Sequence, residues 1–116
     1  MEREAKKRLF DALEACFAVL AFVAQHTLEA FESNELLASA VERKLEIVGE
    51  ALSQFRKLVS DAETTLPDLH RIVGLRNRLI HGYDDVSREM LWDIATKHVP
   101  DLTAQIEKLL EREILR

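Results

Sequence analysis

Between His70 and Tyr83 the chain carries three arginines and two histidines without one carboxylate. The segment stands out because 21 acidic residues against 16 basic ones leave the whole chain at a formal charge of −5. Two of its members have chemistry of their own. His81 can exchange a proton at physiological pH. Arg76 can hold phosphate or carboxylate oxygens through a planar fork. Asn77 lies one helical turn before His81 and can orient the imidazole or a bound anion. Gly82 and Tyr83 follow directly, giving Arg-x4-His-Gly-Tyr.

A helix from about Pro67 to Ile80 must carry this segment, with Pro67 suited to its first position and Gly82 able to end it at positive φ. At 100° per residue, Ile72, Val73, Leu75, Leu79 and Ile80 form one apolar arc, and Arg76 falls in its middle. His70, Asn77 and His81 line up opposite, flanked by Gly74 and Arg78. A guanidinium on a packing face is costly unless it is paired or lies at a wet interface. The plain explanation is an ion pair with Glu46 or Glu50 of the preceding helix, and periodicity alone favours it. His81 beside a glycine can equally be a helix C-cap, where a cation suits the dipole. In a regular helix Arg76 and His81 would point about 140° apart, so joint chemistry needs a helix end or a second copy of the chain.

The remaining elements are also helical by pattern. Helix one runs from about Glu2 to His26, with Phe10, Leu13, Phe17, Leu20 and Ala24 at steps of three and four. Thr27 and Ser33-Asn34 are the next available N-caps. Helix two runs from about Glu35 to Val59. Its Val41, Leu45, Val48, Leu52, Phe55 and Val59 make an a/d seam, and Leu36, Ala40, Ile47, Ala51 and Leu58 a second strip. Ser60 to Thr65 reads as a loop. Ser87 caps a fourth helix bearing Met90, Leu91, Trp92 and Ile94, which Pro100 interrupts before a last helix through Leu102, Ile106, Leu109 and Leu110. No stretch alternates with period two. The expected fold is all-α, an up-and-down bundle of four to five helices in one domain over residues 1–116.

Composition narrows the function classes. With 47% hydrophobic and 32% charged residues, but only three Gly and two Pro, the chain suits helices rather than a disordered linker or a sandwich. The single cysteine, Cys16, excludes an internal disulfide and a Cys-based zinc cluster, and fits a reducing cytoplasm. It sits in helix one's apolar run and reads as a buried small hydrophobe. That run, Ala15 to Ala24, is about half of what a bilayer span needs. No His-x3-His or carboxylate–His cluster is present, so neither a metal nor a cofactor is expected. Overall acidity argues against coating a long duplex but leaves room for a local basic site.

Arg76-Asn77-Arg78-Leu79-Ile80-His81-Gly82-Tyr83 resembles the Arg-x4–6-His motif of HEPN domains. The His-x-Tyr extension narrows the likeness to HepT-type toxins of prokaryotic toxin–antitoxin pairs. Residues 40–51, AVERKLEIVGEA, resemble that family's second helix, and Leu91-Trp92 through Pro100-Asp101-Leu102 its C-terminal part. The resemblance implies a homodimeric, metal-independent endoribonuclease whose two motifs face each other across a cleft. RNA brings its own nucleophile, the 2′-hydroxyl, so a base and a phosphate-binding cation suffice in principle. His81, Arg76 and Asn77 would fill the catalytic roles. Arg71 and Arg78 can contact phosphate, against the blander reading of solvated charges. The resemblance further implies that a partner nucleotidyltransferase antitoxin attaches AMP to Tyr83, whose blander role is to seal a turn. Its partners would be itself, RNA and the antitoxin, in the cytoplasm and without a membrane. The rival is a non-catalytic subunit that docks on a nucleotidyltransferase and presents substrate to it. The intact Arg76–His81 pair favours the enzyme.

Overall fold

The computed structural model describes residues 1–82 and 86–114, and among them every regular element is helical. The bundle fold class is therefore as expected. Helix α1 covers Arg3–Val23, α2 Leu28–Glu32, α3 Glu35–Leu58, α4 Ala62–Thr65 and α5 Leu69–Ile80. Helix α6 covers Arg88–Asp93 and passes through a π-helical turn, Ile94–His98, into α7 at Val99–Ile114. Among the described residues no helix is long and apolar enough to cross a membrane.

Local chemistry sets the boundaries. Thr27, Asn34 and Ser87 each accept a backbone N–H three residues on, at 3.1, 3.0 and 3.1 Å, and so start α2, α3 and α6. The chain turns out of α1 at Gln25, which adopts φ +66°. Gly82, at φ +67°, ends α5 as its type allows, and its N–H donates to the Leu79 carbonyl at 3.2 Å. Helix α5 starts at Leu69 rather than Pro67. The Leu69 N–H bonds back to Leu66 in a tight turn, and Asp68 receives the first helical bond, from Ile72. Residues 60–65 are not all loop, because Ala62–Thr65 form one helical turn in which the Thr65 hydroxyl donates to the Ala62 carbonyl.

The core forms around α3, which packs against both α1 and α5. Val41, Leu45, Val48, Leu52 and Phe55 of the expected seam have no exposed surface. In α1 the buried line is different from the expected one. Ala5, Leu9, Ala12, Cys16, Val19 and Val23 face the core, whereas Phe10 and Phe17, about 100° further round, are half exposed. The stripe of mostly small side chains wins because it lets α1 lie closer to its neighbours. Burial pushes the Cys16 thiol up to about 11, with a Thr103 hydrogen bond acting the other way. Helix α7 runs antiparallel to α1, bringing Glu113 within 3.6 Å of the Met1 ammonium.

Pro100 does not split the C-terminal helix. The ring removes the N–H that an α-helix would donate to Thr96. The chain answers by widening the preceding turn, where the Val99 N–H reaches back five residues to the Ile94 carbonyl. Trp92 is half-buried and its ring lies 5.3 Å from that of Phe31.

Candidate active site

Helix α5 crosses α3 at Gly49, and that crossing places Arg76. A methyl group on Gly49 would overlap the Arg76 Cβ, and it would stand 2.9 Å from Cγ and 3.2 Å from the Ile72 carbonyl oxygen. Only a glycine leaves space there for the arginine stem. The guanidinium then emerges beside Glu50, with Nη2 2.5 Å from its Oε2. Nη1 donates to the Oδ1 of Asn77 at 3.0 Å. Glu50 is steadied in turn, since Gln54 Nε2 donates to its Oε1 at 3.3 Å. Of the two carboxylates compatible with an Arg76 pair, Glu50 makes it. Glu46 instead accepts from Arg43 at 3.2 Å.

Arg76 and Glu50 both line a cleft of about 420 Å³ between α1, α3 and α5. Ala15, Ile47, Ala51 and Ile80 give it an apolar part, and Ile80 is half exposed. Arg8, Arg43 and Lys44 bring cations to the same cleft, balanced by carboxylates including Asp11 and Glu14. The Arg76 side chain is 27% exposed and Glu50 49%, so the pair is open to an arriving anion. Nε of Arg76 is buried and makes no hydrogen bond among the described residues.

His81 stands at the C-terminal end of α5, exposed, with its backbone N–H donating to Asn77 at 3.1 Å. Asn77 therefore touches both ends of the motif, through its side chain to Arg76 and through its carbonyl to His81. The two other arginines differ in setting. Arg71 lies about 140° round the helix from Arg76. Its Nη1 is 2.7 Å from Nδ1 of His98 and 3.9 Å from Asp68, which holds it toward the C-terminal run. Arg78 is half-buried. His70 is exposed. Tyr83 lies outside the described residues. Among the described residues no group of three His, Cys, Asp or Glu side chains is placed to hold a metal ion.

Sequence reasoning gave Gly49 no role and Glu50 no chemistry. The signal available for Gly49 was a glycine inside an otherwise strong helix-forming run, where it costs stability unless another backbone or stem comes close.

Residues 12–109 match the family described as Ribonuclease HepT-like. A Thermococcus cleftensis protein named "Probable ribonuclease HepT" is 31% identical over 111 residues, covering 94% of this chain and 98% of the relative. "Putative RNase MJ1380" of Methanocaldococcus jannaschii is 34% identical over 108 residues, covering 91% and 96%. A Caldanaerobacter subterraneus protein, "Putative RNase TTE0752", is 31% identical over 101 residues, covering 87% and 89%. No solved structure matches the chain. A match over most of its length, on a helical bundle bearing Arg-x4-His at the end of α5, makes this chain a member of the HepT-like ribonuclease family.

Proposed function

We propose that the chain is a one-domain, metal-independent endoribonuclease that acts as a homodimer. The observation that carries this reading is the state of Arg76. It is a half-buried guanidinium held by two acceptors at the wall of a cleft, with a histidine at the end of the same helix. In the proposed reaction His81 takes the proton from a ribose 2′-hydroxyl. The 2′-oxygen attacks the adjacent phosphorus, and the 5′-oxygen leaves. That oxygen takes up a proton from an imidazolium, which in a dimer can be the second copy of His81. The products are a 2′,3′-cyclic phosphate and a free 5′-hydroxyl. Arg76 stabilises the charge that gathers on the non-bridging oxygens, and Asn77 keeps Arg76 in place. Arg78, and less directly Arg71, would contact flanking phosphates. Half-exposed Ile80 beside the cleft supports a second copy closing over it.

Because the substrate supplies the nucleophile, a single 2′-deoxyribose at the cut site should abolish cleavage there, and EDTA should leave the rate on ordinary RNA unchanged. Gel analysis of a short RNA and its singly deoxy-substituted twin checks both. Cutting of the twin at the same bond would remove the mechanism.

The family and the motif also support a place for the chain as a cytoplasmic toxin restrained by a nucleotidyltransferase antitoxin. Tyr83 follows His81 by two residues, so AMP on its hydroxyl would bring negative charge and bulk to the RNA site. Mass spectrometry after co-expression with the antitoxin should find one added AMP on the Tyr83 peptide. Full silencing of Tyr83→Phe by the same antitoxin would remove that route of control.

A further inference from the structure

We propose that Glu50 is a positioning residue for Arg76: its carboxylate sets the plane in which the guanidinium meets the scissile phosphate. The proposal rests on the ribonucleolytic reading of Arg76 given above. Each terminal nitrogen of the guanidinium has one fixed acceptor, Glu50 from the neighbouring helix and Asn77 from its own. An arginine side chain held at one point can swing about its long stem. Held at two points on different helices, it has its plane defined, and each terminal nitrogen keeps a second N–H for substrate.

Three details favour orientation over simple charge neutralisation. Glu50 is itself fixed, by Gln54, so its carboxylate is not a floppy surface group. Its side chain is half exposed, and an ion pair so open to water adds little to folding stability. A carboxylate also repels RNA, so its presence at the wall of a phosphate-binding cleft works against affinity. An arrangement that gains little stability and costs binding is explained by what it does for the geometry of the bound state. Gly49 belongs to the same device. Its missing side chain brings the Arg76 stem against α3, within reach of the next residue's carboxylate.

The role separates binding from turnover. Glu50→Gln keeps the size and one acceptor oxygen but loses the charge. It should lower kcat about tenfold while KM for a short RNA stays level or falls, since a repulsive charge is gone. Glu50→Ala leaves the guanidinium held only by Asn77 and should lower kcat roughly 10²-fold, the scale of a small misplacement of a reacting group. Both variants should unfold within a few degrees of wild type. Wild-type kcat in either folded variant overturns the proposal. So does a kcat loss accompanied by a raised KM and a large fall in melting temperature, which marks a structural role. Arg76→Ala run alongside separates the two levels of the argument. If it is inactive while Glu50→Ala is fully active, only the positioning role falls. If Arg76→Ala itself cleaves at the wild-type rate, the ribonucleolytic reading of the motif falls first.

Discussion

His81→Ala should leave a folded protein that cleaves RNA about 10²–10⁴-fold more slowly, the usual cost of losing a general base. The imidazole is exposed at the end of α5 and lies outside the buried core. Its removal should therefore leave the helical circular dichroism and the melting temperature close to wild type. Light scattering should still report a dimer, because the proposed contact between copies is apolar. Arg76→Ala should be equally inactive. Arg76→Lys should remain strongly impaired, since an ammonium keeps the charge but cannot offer two donors in one plane to Glu50, Asn77 and phosphate. Single-turnover cleavage of a short labelled RNA measures these losses directly. Wild-type rates in a well-folded His81→Ala dimer would transfer the chain to the rival class, a subunit that docks and presents substrate without cutting it.

The second large effect comes from a methyl group. Gly49→Ala forces a Cβ into the stem of Arg76 and close to the Ile72 carbonyl, so α3 and α5 must move apart. Overpacking of this kind costs typically about 1–3 kcal/mol, occasionally more, and alanine's better helix propensity returns at most about 1. A backbone contact on one side puts the case at the upper end, for a net loss of about 2 kcal/mol. That corresponds to a melting temperature lower by roughly 10 °C in a domain of this size. Activity should fall further than stability, because the shift acts on the arginine. Gly74→Ala is the matching control. A Cβ there meets nothing within 4 Å, so the same substitution on α5 should stabilise by about 0.5–1 kcal/mol. Two glycines, one chemical change and opposite signs test the crossing itself. Equal thermal shifts in the two variants would show that the close approach of α3 and α5 does not govern stability.

Much of the bundle could be read from residue spacing, and the misreadings have physical causes. The α3 seam is a strong heptad, and its residues are buried as their spacing implies down to Phe55. Helix α1 offers two apolar stripes, and the larger side chains lie on the one with phenylalanines. Packing favours the other, because side-chain size decides how near two helices can come. Pro100 looks like a helix stop, since local rules say what a proline removes but not how a neighbouring turn can absorb the loss. At the site, the misplaced charge of Arg76 was legible as a residue needing a partner. Spacing left Glu46 and Glu50 equal, and only the rotation of α3 against α5 separates them. Gly49 shows in the sequence only as a glycine inside a helix-forming run; its contribution is an absence of atoms that matters only once another helix lies across it.

The widened turn at Ile94–His98 acts as a phase corrector. Adding one residue to a straight α-helix turns everything downstream by about 100°. A π-turn confines that extra residue to a single loop of the spiral, so the segments on either side keep a common inward direction. Leu91 before it, Ile94 and Ala95 within it, and Val99, Leu102 and Ile106 after it all reach the same core. The C-terminal run can thus be understood as two helical registers spliced end to end, with Pro100 fixing where the splice lies. His98, the last residue of the splice, is also the one that meets Arg71. The joint that aligns the C-terminal run therefore also touches the helix carrying the motif.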